Sequence, residues 1–137
     1  MNRYSWDDLS VGMEEQFRVT ITDEMMEKFR DITGDINPLH GDREFAMAKG
    51  HENRVVYGML TASFLSTLAG VYLPGEKSLI HSVETKFVKS VFPGDELKVS
   101  GKITDMDERF HVIHLKVEIR NQRDEKVLRG TMQIGID

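Results

Sequence analysis

The chain contains no cysteine. A disulfide framework, a thiol nucleophile and a sulfur-ligated metal are therefore all excluded. Its five histidines are scattered, with no His-x-x-x-His pair and no His-Glu-x-x-His run. No metal site is expected, and nothing in the pattern asks for another cofactor. A long hydrophobic run is also missing. The longest apolar stretch, Gly58 to Leu73, is interrupted by Thr61, Ser63, Ser66 and Thr67, and is too short and too polar to span a bilayer. Residues Met1 to Ser10 are polar and acidic, unlike a secretory signal. A cytoplasmic protein with no membrane contact is the natural expectation. A positive charge excess is lacking too: the formal net charge of -5 argues against nucleic acid or an anionic membrane as main partner. An anionic ligand stays possible through local cations, for which Lys49, Arg54, Lys77, Lys86 and Lys89 are available. Repeats, linkers and low-complexity segments are absent.

What is present suits one ordinary domain, residues 1–137, long enough to bury a real core. Glu15 to Thr20 alternate as a short strand. Thr22 is a good helix N-cap, followed by Asp23 and Glu24, with Ile21 and Met26 placed to staple across it. Met25, Met26, Phe29 and Ile32 recur at helical spacing, and Gly34 sits where that helix would end. Asp42 caps a second short helix running to Lys49 and ended by Gly50. Gly58 to Tyr72 reads as one helix, apolar nearly all round and so buried on most sides, about 22 Å long at 1.5 Å per residue. Its small residues, Gly58, Ala62, Ser66 and Ala69, form a stripe that suits either tight packing or a ligand groove.

The rest is strand-like. Leu79, His81, Val83, Thr85 and Phe87 alternate with Ile80, Ser82, Glu84, Lys86 and Val88. Leu97, Val99, Gly101 and Ile103 do so next, and an acidic turn follows at Asp105 to Glu108. Further apolar faces come from His111, Ile113, Leu115, Val117 and Ile119, and then from Leu128, Gly130, Met132, Ile134 and Ile136. Four long strands joined by short turns predict an antiparallel sheet with one apolar face, wrapped around the buried helix.

The most informative stretch for chemistry is Thr33-Gly34-Asp35-Ile36-Asn37-Pro38-Leu39-His40. Asp35 and His40 are five apart, the wrong spacing for one helix face. Pro38 also disfavours a helical Asn37. The segment reads as a bent loop that aims a carboxylate and an imidazole at one point. Such a pair around one water is a general acid–base device. Taken singly, Asp35 suits a local turn bond and His40 a solvated loop.

The pattern Gly34-Asp35-x-Asn37-Pro38-Leu39-His40-x-Asp42, then Tyr57-Gly58-Met59-Leu60, then Phe87 and Pro93-Gly94-Asp95, resembles the MaoC-like (R)-specific enoyl-CoA hydratase family. The resemblance runs from about Phe29 to the C-terminus. Its first block is specific in that combination, whereas Pro-Gly-Asp alone is a common turn. It implies an α+β hot-dog fold, with an antiparallel sheet wrapped around a central helix. It implies a lyase that adds water to trans-2-enoyl thioesters of coenzyme A or acyl carrier protein, giving (R)-3-hydroxyacyl thioesters, or runs the reverse dehydration. It implies Asp35 and His40 as the catalytic pair, the Gly58 N–H as oxyanion donor, and a homodimer or higher homo-oligomer. Gly58 also lies at the expected start of the buried helix, where N–H groups are free, although a packing glycine would sit there equally well. Asn37 resembles the family's loop asparagine, a scaffold for the bend. Ser66 matches a serine near the catalytic loop in relatives, though a small buried hydroxyl is more often structural.

The family usually carries histidine before its Gly-Met pair, and this chain has Tyr57, longer and uncharged at neutral pH. That departure bears on substrate choice near the thioester. Two competing readings remain. A hot-dog thioesterase would need a carboxylate on the central helix, and Gly58 to Tyr72 has none. A non-catalytic acyl-thioester module would not need both Asp35 and His40, whereas a dehydratase subunit acting within a larger complex is compatible with both.

Overall fold

The computed structural model describes all 137 residues, Met1 to Asp137. Strand β1 (Glu14–Thr20) leads into helix α1 (Asp23–Thr33), two short helices α2 (Pro38–Gly41) and α3 (Arg43–Ala48), and helix α4 (Gly58–Thr67). Four strands follow: β2 (Ser78–Phe87), β3 (Glu96–Asp107), β4 (Val112–Arg120) and β5 (Lys126–Ile136). All five pair antiparallel in the order β1-β3-β4-β5-β2. The apolar face of this sheet packs on α4, so the hot-dog arrangement is the observed one. No helix is long and apolar enough to cross a membrane.

Alternation explains the core directly. Leu97, Val99 and Ile103 on β3, Ile113, Leu115 and Ile119 on β4, and Leu128 and Ile134 on β5 are fully buried, together with Leu68. Each such side chain is worth about 1.5–3 kcal/mol relative to exposure. Gly130, opposite Thr85, is required by sterics: a β-carbon there would collide with the Glu84 carbonyl oxygen, so only glycine lets β2 close against β5.

Several expectations need correction. The face running from Leu79 through His81 to Phe87 is split by a β-bulge between Ile80 and Ser82. Ile80 lies opposite Ile134 and Val83 opposite Met132, so Leu79 and His81 leave the face of Val83 and Phe87. One inserted residue reverses alternation beyond it. Gly135 accommodates this, since the His81 ring fills the space where a β-carbon of residue 135 would stand. His111 is not on the β4 face either. It sits in the β3–β4 turn at φ 51°, its ring stacked on Trp6 with centroids 4.4 Å apart.

The central helix is not one α-helix to Tyr72. Its last turn, Leu68–Tyr72, is a π-helix, closed by the Leu73 N–H on the Leu68 carbonyl at 2.8 Å. The wider turn lets Leu68, Ala69 and Leu73 all be fully buried. The helix is covered on most sides, as its apolar composition predicts, and only the stripe of Met59, Ser63 and Ser66 is exposed. The stripe of small residues therefore runs from partly covered Gly58 through exposed Ser66 to buried Ala69. On α1, Thr22 caps through the Met25 N–H at 3.2 Å, and Ile21 and Met26 are buried beneath it. Ile32, expected on the apolar face, is 82% exposed, since only the first two turns of α1 reach the core.

Candidate active site

The end of α1 launches the segment that carries Asp35 and His40. Gly34 adopts φ 74°, a left-handed stop that glycine takes without steric cost, and its N–H bonds the Arg30 carbonyl at 2.7 Å. Short-range bonds then shape the bend. The Asp35 N–H donates to Thr33 Oγ1 at 3.2 Å, and Asp35 Oδ1 accepts from the Asn37 N–H at 3.1 Å. Asn37 Oδ1 accepts from the Leu39 N–H at 3.0 Å. The expected loop is shorter than the sequence suggests. Pro38 begins the single turn α2, with Asn37 as its N-cap. Proline's fixed φ and missing N–H suit the first helical position, while Asn37 itself stays non-helical at φ -58°, ψ 125°. His40 thus rides on a helical turn, and Asn37 links it to Asp35 by accepting the His40 N–H at 3.1 Å.

The imidazole is oriented from outside the motif. His40 Nδ1 lies 2.7 Å from the Val55 carbonyl oxygen. A carbonyl only accepts, so Nδ1 carries a proton, and this contact selects the neutral tautomer whose lone pair is on Nε2. Val55 is itself pinned, its N–H bonding the Leu39 carbonyl at 3.1 Å, and Val56 bonds the Val91 carbonyl at 2.8 Å. Tyr57 follows, only 4% exposed. Its hydroxyl donates to the Asp35 backbone carbonyl at 3.0 Å, and its ring lies against His40 with centroids 4.1 Å apart. Burial, and then the Asp35 charge, push the Tyr57 hydroxyl above the ordinary tyrosine range, so it remains a donor at neutral pH.

Gly58 is the first residue of α4, whose N-terminus has no side-chain cap. Helix geometry leaves its N–H without a partner and places positive dipole there. A β-carbon on Gly58 would stand 3.1 Å from Phe87 Cε1. Two open recesses meet at this corner. One of 390 Å³ is bordered by Phe29, Asp35, His40, Tyr57, Gly58 and Met59. The other, of 270 Å³, is bordered by His40, Gly58, Thr61, Phe87 and Lys89 among others. His40 and Gly58 line both and so stand between them.

The structure therefore brings Asp35, His40, Tyr57 and Gly58 to one recess, with Asn37 bracing the bend behind. Ser66 lies two turns along on the exposed side of α4 and lines neither recess. Of the five candidate cations, Lys89 alone borders a recess of the site, and it is ion-paired with Glu125. Arg54 is paired with Asp23. Pro93-Gly94-Asp95 is a structural turn: Asp95 Oδ2 accepts the Phe92 N–H and Oδ1 accepts Gln122 Nε2, each at 2.9 Å. The Val55 carbonyl was missed by sequence reasoning, because a backbone acceptor has no side-chain signature. Thr61 was missed as a wall of the site, its signal being only its place one turn after Gly58.

A helix cradled by an antiparallel sheet, with an Asp–His corner at the helix N-terminus, defines a hot-dog protein of the hydratase type. The family model described as "MaoC like domain" matches residues 10–126, and the chain belongs to that family. It is 32% identical over 126 residues to the (R)-specific enoyl-CoA hydratase of Aeromonas caviae, covering 92% of this chain and 94% of that protein. It is 31% identical over 101 residues to the 3-hydroxybutyryl-CoA dehydratase of Methylorubrum extorquens, covering 74% of this chain and 64% of that one. Among solved structures, the (R)-hydratase of A. caviae involved in PHA biosynthesis superposes with a TM-score of 0.90 at 29% identity, covering 94% of this chain and 98% of that chain.

Proposed function

We propose that this protein is a hydro-lyase acting on trans-2-enoyl thioesters of coenzyme A or acyl carrier protein, forming (R)-3-hydroxyacyl thioesters or running the reverse dehydration. The thioester carbonyl draws electrons from the double bond, so water oxygen attacks the β-carbon. The O–H bond of that water breaks as the C–O bond forms. The electron pair of the double bond moves toward the thioester oxygen, and a proton then adds to the α-carbon as the carbonyl re-forms. The net change is the gain of one water. In this reading the Asp35 carboxylate and the free Nε2 of His40 grip the water, and both proton transfers pass through that pair on one face of the substrate. The Gly58 N–H, at the positive end of α4, receives the charge that gathers on the thioester oxygen.

The observation that carries the proposal is the orientation of His40. The Val55 carbonyl holds Nδ1–H and leaves Nε2 open at the boundary between two recesses, beside Asp35 and the unpartnered Gly58 N–H. The test is hydration of trans-2-enoyl-CoA substrates of several chain lengths, followed by loss of the conjugated thioester absorbance. Asp35→Asn and His40→Ala should each lower kcat by on the order of 10²-fold or more with folding intact. Near wild-type rates in both variants would reject the assignment.

The same reading includes a homodimer or higher homo-oligomer. Its support is the outermost strand β2, whose free edge carries Val83 at 47% and Phe87 at 53% exposure. Ser66 takes part in this reading only when the acyl chain or a second copy covers the exposed side of α4. A monomer mass by light scattering at micromolar concentration would remove the oligomer from the proposal.

A further inference from the structure

The segment that carries Asp35 has little packing to hold it. Gly34, Asp35, Ile36, Asn37 and Pro38 are all exposed. The hydrogen bonds that shape it reach only two to four residues along the chain. The exception is the bond from the Tyr57 hydroxyl to the Asp35 carbonyl, at 3.0 Å across 22 residues of sequence. The same tyrosine ring stacks on His40 at 4.1 Å with 29° between planes. Phe29 also packs against it, tilted at 41° with centroids 4.9 Å apart. One buried ring therefore touches both members of the acid–base pair, Asp35 through its backbone and His40 through its face.

We infer that Tyr57 is a positioning residue that fixes the Asp35 backbone relative to the His40 ring, rather than a group that binds substrate. This rests on the hydratase reading above for its consequence in turnover. The hydroxyl points its proton at the Asp35 carbonyl, so it is spent on the loop and not offered to the thioester. A shorter side chain at the same place would not carry a donor as far from the Tyr57 Cα. The departure from the family's histidine thus serves the geometry of the pair. Small errors of alignment between catalytic groups cost rate without costing affinity.

The test compares Tyr57→Phe, which keeps the ring and removes the donor, with wild type. The expected result is a kcat lower by about tenfold with KM within about twofold, the signature of lost alignment. In an Asp35→Asn background, Tyr57→Phe should cost less than about twofold, because a shared function is lost only once. Backbone ¹⁵N order parameters at Asp35, Ile36 and Asn37 should fall from about 0.85 toward 0.6, while those of β4 stay unchanged and report an intact fold. Wild-type kcat in Tyr57→Phe, a change confined to KM, or an undiminished loss in the Asp35→Asn background would each overturn the inference. Should wild type hydrate no enoyl thioester, the hydratase reading falls by itself. The order parameters then decide the positioning role alone, and a loop equally rigid in Tyr57→Phe overturns it.

Discussion

The sheet and the Asp35 corner are held in opposite ways. On β3, β4 and β5 the inward side chains are sealed from water, and the ladders run in register from Lys98 to Ile103 on β3 and from Val112 to Ile119 on β4. At the corner, the residues from Gly34 to Pro38 are exposed, and order comes from hydrogen bonds of fixed geometry. Burial is strong but tolerant of direction. Hydrogen bonds are individually weak, near 1 kcal/mol net, but strict about direction. Stability should therefore reside in the sheet and alignment in the corner, so that substitutions in one region leave the property of the other nearly untouched.

The largest expected effect tests the sheet. Leu115 is fully buried on β4, between Ile103 and Met132 in the ladders. Leu115→Ala should lower unfolding free energy by about 2–5 kcal/mol through lost transfer energy and a cavity. Measured by urea unfolding, that loss should accompany an unchanged kcat per folded molecule at a temperature where the variant is still folded. Asp35→Asn should do the reverse, with stability within about 0.5 kcal/mol of wild type, as for exposed sites elsewhere. A Leu115→Ala protein that is folded but slow would break the division of labour.

The two regions also differ in how far the sequence discloses them. Where forces are local, the residues suffice: Thr22 and Gly34 mark both ends of α1, and the apolar alternation on β4 and β5 marks the core. Alternation fails at β2, because the bulge at His81 depends on space left by Gly135 on another strand. At the site, the motif singles out candidate side chains but not what aims them. The Val55 carbonyl that orients His40 is fifteen residues away and belongs to the backbone. Tyr57 is legible as a departure from the family pattern. Its bond to the Asp35 carbonyl is a tertiary fact with no local signature.

Gly58→Ala lies where the two regions meet and sharpens the contrast. The new β-carbon would stand 3.1–3.3 Å from three atoms of the Phe87 ring, a tight contact. Phe87 is half exposed on the sheet edge and can swing away in a free protomer. The helical gain of about 0.5–1 kcal/mol for Gly→Ala then offsets the contact, and the melting temperature should stay near wild type. Under the proposed oxyanion role, activity should still fall by about tenfold, because the β-carbon would crowd the Gly58 N–H. A drop of roughly 1–3 kcal/mol with unchanged specific activity would instead mark Gly58 as a packing residue. A melting loss that appears only at concentrations where the protein self-associates would mean that Phe87 is held by a second copy.

The smallest effect concerns acid stability at the β4–β5 turn, next to Lys89 on the rim of the site. Hydrogen bonds from Lys89, then Arg123 and Asn121, hold the Glu125 carboxyl down to about 2, against an ordinary value of 4.5. A carboxylate whose folded value is depressed contributes stability above its unfolded value. That contribution disappears as pH falls from about 4.5 through about 2. Glu125→Gln should therefore melt slightly below wild type by a constant margin from pH 7 down to about 5, and the margin should close between pH 4.5 and 2. The side chain is partly open to solvent, so added salt should shrink the margin. Glu118, lowered chiefly by its hydrogen bond from Arg120, titrates in the same acid limb and keeps that limb from flattening completely in the variant. Because Lys89 borders the recess shared by His40 and Gly58, freeing it from Glu125 also shows whether the two regions are coupled. Unchanged kcat and KM in Glu125→Gln at pH 7 would keep sheet and corner separate. A lowered KM for a coenzyme A thioester would mean that the released ammonium reaches the substrate's anionic end.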